Sequence, residues 1–320
     1  MGTSPRLDGS AVMVTGGCGF IGSHLVRALL ARGVGRVVVV DSLRYGDRAN
    51  LGAAGDAVEV VGHTLGTDDP AELAERMRGV QYLFHLAAEK HNQSRDDPRA
   101  VLRANVEGTY ALFDLAARGG VEKIVFTSSL YAYGRTSGPP FVEDELPRPR
   151  TVYGISKLCG EHLLAHLHAE RGVAYTVLRY LFVYGPRQFA GMGYRSVIVK
   201  NFERLQRNEP PVVCGDGEQA LDYVFVDDAV AATVAALAAD ASGEVINVAS
   251  GTPTTINRLV ALMQEVAGRT LPVEHAPPDW TAGSSRVGDV QKAARLLGWR
   301  AETPLREGLA RTYRWMEEAR

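Results

Sequence analysis

Short runs of β-branched and aromatic residues alternate, along the first half of the chain, with longer segments of helical apolar spacing. Runs of this length predict strands. Residues 37–40 are apolar at every position, as expected when helices cover both faces of a parallel sheet. The pattern therefore predicts an α/β fold with a doubly wound parallel sheet. The predicted strands are 11–15, 36–40, 58–61, 82–85, 123–127 and 175–178.

The alternation loosens after residue 179, where stretches rich in Pro, Gly and polar residues occur at 207–217 and 276–283. We therefore expect a first domain over residues 8–178 and a smaller C-terminal α/β substrate lobe over residues 179–320. Within that second part, residues around 221–248 are expected to return to the first domain.

A glycine-rich turn, TGGCGFIG at residues 15–22, joins the first predicted strand to a helical pattern that ends at Gly33. Gly16 permits a tight turn, Gly19 lets the backbone approach a pyrophosphate, and Gly22 allows close helix packing. The N-terminus of the helix then faces the phosphates. Such turns also occur as ordinary loops, but the position between the first strand and the first helix favours a Rossmann-like site for NAD.

Asp41 ends the second predicted strand, where a carboxylate can accept the adenosine ribose hydroxyls and repel a 2′-phosphate. This residue therefore favours NAD over NADP. The alternative is a turn or helix-capping aspartate. Arg44 and Arg48 follow closely and could cradle a 2′-phosphate, so NADP stays open.

Tyr153 and Lys157 stand four residues apart, on one face of a predicted helix. A tyrosine that acts as a base near neutral pH needs its pKa lowered by roughly three units, and a neighbouring Lys157 and a cationic nicotinamide could lower it. Ser129 follows the fifth predicted strand, at the edge where doubly wound folds build active sites. The alternatives are a solvated helix face for the pair and a local turn for the serine.

Together these residues resemble the extended short-chain dehydrogenase/reductase family, particularly its nucleotide-sugar epimerases, dehydratases and decarboxylases, over nearly the whole chain. The resemblance implies that Tyr153 exchanges the proton and that Lys157 holds the nicotinamide ribose and lowers the tyrosine pKa. It implies that Ser129 orients the substrate while hydride passes between a sugar carbon and NAD. Further segments that carry the resemblance are 85–88, Asn105, 108–109, 129–134, 179–180, 183–186, 215–217 and 226–228.

The same resemblance implies which residues contact the ligands. The cofactor-binding residues it implies are Gly16, Gly19, Phe20, Ile21, Gly22, Asp41, Leu86, Ala87, Ala88, Lys90, Asn105, Tyr153 and Lys157. The substrate-binding residues it implies are Ser129, Tyr131, Phe182 and Arg286.

Three positions discriminate between the reactions of this family. Leu130 and Tyr131 stand where its 4,6-dehydratases carry the Asp-Glu pair that serves water elimination, and its decarboxylases usually carry a glutamate at the second position. Lys90 falls where UDP-glucose (UDP-galactose) 4-epimerases carry a lysine near the cofactor. Oxidation and re-reduction at one carbon need only a tyrosine and the cofactor.

The resemblance therefore favours a nucleotide-sugar 4-epimerase that works by transient oxidation to a 4-keto sugar and hydride return. The alternative is an NAD(P)-dependent ketoreductase or dehydrogenase acting on a sugar or another secondary alcohol. A dinucleotide-binding sensor without turnover is a further possibility, but the intact Ser-Tyr-Lys set argues against it.

Three positions depart from the family pattern. His63 stands where an aspartate commonly binds the adenine amino group, and we expect it to be a solvated loop histidine. Phe182 replaces a substrate-contacting asparagine and Leu221 replaces an arginine that holds the diphosphate, with core packing as the alternative role for both. Arg286 is the expected remaining clamp on the diphosphate. Two arginines in reserve are Arg187 and Arg195.

Composition narrows the class of partner. The 320 residues carry a formal net charge of −2, so neither nucleic acid nor an anionic membrane is indicated. Three cysteines without paired spacing indicate reduced thiols, a cytoplasmic location and no metal site. The longest apolar stretch, residues 230–239, is too short to span a bilayer and predicts a buried helix. We expect a homodimer as the symmetric default.

Overall fold

Seven parallel strands form the central sheet of this computed structural model, which describes residues 7–134, 136, 138–188, 195–238 and 241–319. The strands in chain order are β1 (Ala11–Thr15), β2 (Arg36–Asp41), β3 (Glu59–Gly62), β4 (Tyr82–His85), β5 (Lys123–Ser129), β6 (Ala174–Tyr180), β7 (Phe182–Tyr184), β8 (Val212–Cys214), β9 (Ala220–Phe225), β10 (Glu244–Val248), β11 (Pro253–Thr255), β12 (Glu274–Ala276) and β13 (Ser285–Arg286). The six strands predicted from the sequence are confirmed, with ends that differ by at most two residues.

The order across the central sheet is β3-β2-β1-β4-β5-β6-β10, and every neighbouring pair is parallel. The direction of winding changes between β1 and β4. Doubly wound folds bind their ligands at this kind of switch point, beyond the carboxyl ends of the strands. The predicted α/β class and doubly wound parallel sheet are therefore confirmed.

Helices cover both faces of this sheet. The helices in chain order are α1 (Phe20–Leu30), α2 (Ala74–Met77), α3 (Gln93–Asp96), α4 (Pro98–Leu102), α5 (Thr109–Arg118), α6 (Val152–Arg171), α7 (Val197–Gln206), α8 (Val226–Ala235), α9 (Ile256–Ala267), α10 (Gln291–Leu297) and α11 (Leu305–Glu318). Alternate side chains of a strand point to opposite faces. Val37 and Val39 accordingly pack with α1 and α8, whereas Val38 and Val40 pack with α5 and α6.

The C-terminal lobe is built on β9, which pairs with β7, β11 and β13 and packs with α7, α9 and α11. Of the alanine-rich segment predicted as a buried helix, residues 230–235 lie in α8, which packs against the central sheet. The strand β10, which follows α8, is the edge strand of that sheet. All three cysteines are free thiols. Across the described residues, none of the helices combines the length and apolarity that a bilayer crossing requires.

Candidate active site

A cleft of about 460 Å³ opens at the switch point, beyond the carboxyl ends of β1, β2, β4 and β5. Most residues that the sequence pointed to meet in its walls. The expected site residues that line it are Gly16, Gly19, Phe20, Ile21, Gly22, Asp41, Leu86, Ala87, Ala88, Lys90, Ser129, Tyr131, Tyr153 and Lys157.

The glycine-rich turn has the geometry that a dinucleotide requires. Gly16 has a φ of +72°, and a Cβ there would lie 2.9 Å from the Ala87 nitrogen. A Cβ at Gly22 would lie 2.0 Å from the Gly16 carbonyl oxygen, so α1 packs against the turn only because this residue is glycine. Gly19 precedes α1 and offers no side-chain cap. The N–H groups of the first helical turn therefore suit a pyrophosphate.

Asp41 joins the glycine-rich turn to the loop that follows β2. Its Oδ2 accepts a hydrogen bond from the Cys18 backbone N–H and its Oδ1 accepts one from Leu43, both at 2.9 Å. Burial raises the pKa of this carboxyl, and the two backbone donors oppose the rise. Asp41 thus does serve as a turn residue, the alternative role that its position in the sequence allowed. Each carboxylate oxygen has a second lone pair, which leaves Asp41 able to accept ribose hydroxyls as well.

The expectation that His63 is a solvated loop residue is wrong. This side chain is 3% exposed, lines the cleft next to Thr64, and has its Nδ1 3.4 Å from Glu72 Oε2. Its backbone N–H donates to the Asp41 carbonyl. The 3-10 turn Pro70–Leu73 supplies the glutamate and covers the histidine, so His63 belongs to the adenosine end of the cleft.

The mouth of the cleft carries a charged pair. Arg44 Nη1 donates to Glu89 Oε1 at 2.7 Å, and the Tyr45 hydroxyl donates to the other oxygen at 3.1 Å. Lys90 Nζ lies 4.3 Å from the centroid of the Tyr45 ring. Arg44, which could have cradled a 2′-phosphate, is therefore engaged by a carboxylate, in keeping with NAD.

Tyr153, Lys157 and Ser129 meet at the other end of the cleft. Thr151 caps α6, so Tyr153 lies in the first turn and Lys157 one turn later. Lys157 Nζ lies 5.8 Å from the centroid of the Tyr153 ring and donates to the Thr127 carbonyl at 2.9 Å. Ser129, at the end of β5, accepts a hydrogen bond from the Tyr131 backbone N–H at 3.3 Å, and its hydroxyl acts on the Tyr153 phenol by lowering its pKa. The three side chains can therefore act on one substrate atom.

The environment shifts both titrating groups. Tyr153 keeps part of its surface open to the cleft, yet desolvation raises the pKa of its phenol to about 12, opposed by the Ser129 hydrogen bond. Burial lowers the pKa of Lys157 to about 7, opposed by the charge of Glu161. In the chain alone the tyrosine pKa is thus raised, opposite to the expected direction, because desolvation of the phenol is the largest effect.

An aromatic layer adjoins Tyr153 at this end of the cleft. The His91 ring stacks on Tyr131 with centroids 4.0 Å apart, and Tyr131 lies 5.7 Å from Tyr153. Trp280, from the C-terminal lobe, lies 5.5 Å from Tyr131 and carries the Arg286 guanidinium 4.3 Å above its ring. Sequence reasoning missed His91 and Trp280. Only the position of His91 directly after Lys90 could have pointed to the first.

Asn105 lies behind the cleft wall. Its side chain exchanges two hydrogen bonds with the Glu89 backbone, at 2.7 and 3.0 Å, and donates to Ser156 Oγ at 3.2 Å. It therefore fixes the loop after β4 to α6. Lining residues that the sequence did not single out include Tyr45, Gly46, Leu65, Leu181 and Gln188.

In the C-terminal lobe, the two residues that depart from the family pattern, Phe182 and Leu221, lie in apolar surroundings. Leu221 is buried in the core of the lobe, and Phe182 packs against the same core. Arg195 pairs with Glu203 at 2.7 Å, and Arg187 lies half-buried in the loop after β7. Arg286 remains the arginine that lies against the aromatic layer. No group of three or more His, Cys, Asp or Glu side chains in the described ranges could hold a metal ion.

Comparison with known proteins gives a consistent match. Residues 12–249 match the model of the NAD-dependent epimerase/dehydratase family. The chain is 34% identical over 311 residues to the UDP-glucose 4-epimerase of Mycolicibacterium smegmatis, covering 94% of this chain and 96% of that one. It is 32% identical over 320 residues to a dTDP-glucose 4,6-dehydratase of Streptomyces griseus, covering 97% and 94%. The crystal structure of the Thermotoga maritima UDP-glucose 4-epimerase with UDP-glucose is similar at a TM-score of 0.90 and 35% identity, covering 97% and 99%.

Proposed function

The chain belongs to the NAD-dependent epimerase/dehydratase family, and on that basis we propose that it is a nucleotide-sugar 4-epimerase. NAD is its cofactor, and the glycine-rich turn and Asp41 provide the matching cradle. Its relatives include an epimerase and a dehydratase of similar identity, so the reaction is argued from the site.

The aromatic layer next to Tyr153 carries the proposal. Leu130 and Tyr131 occupy the positions at which the resemblance places the acid pair of a dehydratase. Here Leu130 is buried, and the Tyr131 ring lies 5.7 Å from Tyr153 with His91 stacked on it. Neither position therefore carries the carboxyl group that the resemblance assigns to water elimination, which needs an acid and a base beyond Tyr153.

Carboxylates elsewhere in the cleft are engaged in other contacts. Of the described acidic residues, Asp41 and Glu89 line the cleft. Asp41 is bound to two backbone donors at the adenosine end, and Glu89 is paired with Arg44 at the mouth. This supports a reaction that starts and ends with Tyr153.

In the proposed reaction Tyr153 accepts the proton of the sugar 4-hydroxyl as the 4-keto sugar forms. Tyr153 later returns the proton to the same oxygen, when hydride is added back to the opposite face of C4. Ser129 orients the reacting oxygen, and Lys157 contributes a positive charge and binds the nicotinamide ribose. NAD, when bound, supplies the hydride acceptor and donor. Arg286 holds the substrate diphosphate beside the aromatic layer, in a pocket altered by Phe182 and Leu221.

The purified protein should interconvert C4 epimers of one sugar in a panel of UDP-, dTDP-, GDP- and CDP-hexoses, as followed by proton NMR. Near-ultraviolet absorbance of reduced nicotinamide should stay flat. Tyr153→Phe should lower turnover by more than about a hundredfold, whereas Tyr110→Phe, exposed on α5, should change nothing. Absorbance that tracks turnover would establish the ketoreductase or dehydrogenase instead, and a product lighter by one water would establish a dehydratase.

Two expectations accompany this proposal. A homodimer is the symmetric default, and light scattering of the purified protein measures it. A cytoplasmic location agrees with the three free thiols.

A further inference from the structure

Glu161 and Arg179 form a buried ion pair next to the end of β5, which carries Ser129. Glu161 is 6% exposed and Arg179 is 3% exposed. Arg179 donates from Nη2 to Oε2 at 2.7 Å and from Nε to Oε1 at 3.0 Å, which is a bidentate pair. Ser128 Oγ donates to the same Oε1 at 2.5 Å. Paired and hydrogen-bonded in this way, both charges are stable away from water.

Three consecutive residues at the end of β5 connect this pair to the catalytic side chains. The Thr127 carbonyl accepts a hydrogen bond from the Lys157 ammonium at 2.9 Å. The Ser128 hydroxyl donates to Glu161, which lies one helical turn after Lys157 on α6. Ser129 accepts from the Tyr131 backbone N–H at 3.3 Å and acts on the Tyr153 phenol by lowering its pKa. A displacement of the ion pair would therefore move the same strand end that orients the reacting groups.

Arg179 extends the connection to the loop before α6 and to β10. It donates to the Glu143 carbonyl at 3.3 Å, and its guanidinium lies 4.4 Å above the Tyr133 ring. The Tyr133 hydroxyl donates to Asn247 Oδ1 at 2.7 Å, while the Asn247 backbone donates to Glu143 Oε1 at 2.8 Å. The position of the guanidinium is thus fixed from three sides, which holds the Glu161 carboxylate still.

Among the titratable groups packed around Lys157, Glu161 is the one that supplies a negative charge. Burial, and then the charge of Lys157, holds the pKa of His85 well below its usual range, so this histidine on β4 is neutral. Burial raises the pKa of Tyr153 on α6, of Tyr175 on β6 and of Tyr133 in the loop, so these phenols are neutral too. The carboxyl of Glu143, whose pKa burial also raises, faces the Asn247 amide. Glu161 opposes the desolvation of Lys157.

We propose that Glu161 and Arg179 are positioning residues of the active site: Arg179 fixes the Glu161 carboxylate, and Glu161 holds its negative charge one helical turn from Lys157 and ties Ser128 to α6. The inference rests on the proposed function, because a protonated Lys157 matters to turnover only if Tyr153 and Lys157 serve the 4-epimerase reaction. It predicts that removing either partner changes the protonation of Lys157, which a pair with a purely structural role would not do.

The test is the pH dependence of kcat/KM. Glu161→Gln keeps the shape but removes the anion, so the alkaline limb should move down by about one pH unit. Arg179→Gln leaves the buried carboxyl without its cation, which favours the protonated form of Glu161, so the alkaline limb should move down as well. Glu170→Gln, exposed on the same helix, should leave it in place. Loss of activity with an unmoved limb in both variants would show a purely structural pair and overturn the inference.

Two further measurements keep the outcome interpretable. Glu161→Gln combined with Arg179→Gln leaves no unpaired buried charge, so it should fold where a single variant fails. Its alkaline limb should lie close to that of Glu161→Gln, because both variants lack the Glu161 charge. If the protein turns over no sugar, the proposed function fails, but calorimetric NAD affinity against pH reads the same lysine. If the pH dependence of NAD affinity shifts in the variants, the positioning role of Glu161 and Arg179 is still supported. If it does not shift, that role is refuted.

Discussion

Replacing Asp41 by asparagine separates the two roles that this carboxylate combines. An asparagine has the same shape but only one acceptor oxygen. Its amide nitrogen must face either the Cys18 or the Leu43 N–H, which are now both bound at 2.9 Å. One backbone hydrogen bond is lost and one buried donor stays unpaired, which should lower the free energy of unfolding by about 1 to 3 kcal/mol.

The effect on the cofactor adds to this loss. A ribose hydroxyl bound to a carboxylate contributes about 1.5 to 3 kcal/mol, so Asp41→Asn should weaken NAD roughly 10- to 150-fold. NADP should lose less, because the variant no longer repels a 2′-phosphate. The ratio of the two affinities therefore moves towards NADP even though both become weaker.

Calorimetric titration with NAD and NADP measures that ratio, and urea unfolding measures the stability term. Asp47→Asn is a matched control. Asp47 accepts a backbone hydrogen bond from Ala49 at the same 2.9 Å, but it is exposed and does not line the cleft. Its variant should leave cofactor affinity unchanged. An NAD to NADP ratio that stays constant in Asp41→Asn would remove this residue from cofactor recognition.

Three further predictions concern single residues. Gly22→Ala should weaken NAD at least about tenfold by calorimetry, because its Cβ would lie 2.0 Å from the Gly16 oxygen; Gly55→Ala, where the nearest atom is at 3.7 Å, should not. The folded pKa of Lys157 lies below its unfolded value, so its burial costs stability below about pH 7 and this cost disappears as pH rises towards 10.5. The stability of the unmodified protein minus that of Lys157→Met should therefore increase with pH across this window in urea titrations, and a flat difference would contradict the assignment. Arg286→Ala should cost at least about 1.5 kcal/mol of nucleotide-sugar binding; unchanged binding would exclude Arg286 as the clamp.

The fold could be predicted from the sequence because its signals are local. The runs at 11–15 and 82–85 have strand bounds identical to those observed, since β-branched and aromatic residues buried on both faces leave little alternative. The glycine-rich turn was readable for a similar reason. Gly16 and Gly22 meet within seven residues of chain, so their spacing already contains the contact between them.

Parts of the site that depend on distant contacts could not be predicted. His63 is buried because the turn Pro70–Leu73 folds over it, and no feature of its own neighbours in the sequence shows this. Glu161 and Arg179 lie on a helix and a strand whose pairing exists only after the sheet has formed. Trp280 reaches Tyr131 from the other lobe. Such contacts are products of tertiary packing.

The pairing of β10 with β6 has a consequence for how the protein matures on the ribosome. The chain makes Ser129, Tyr153 and Lys157 early, but Asn247, which holds Tyr133 and Glu143, leaves the ribosome later. At usual rates of synthesis the interval between β6 and β10 is roughly 3 to 13 s. During this time the edge of β6 lacks its partner and offers its backbone to other strands. Tyr133 and Glu143 can therefore gain their contacts with Asn247 only after β10 docks. A fragment that ends at residue 178 would expose the edge of β6 and would not be an independent enzyme domain.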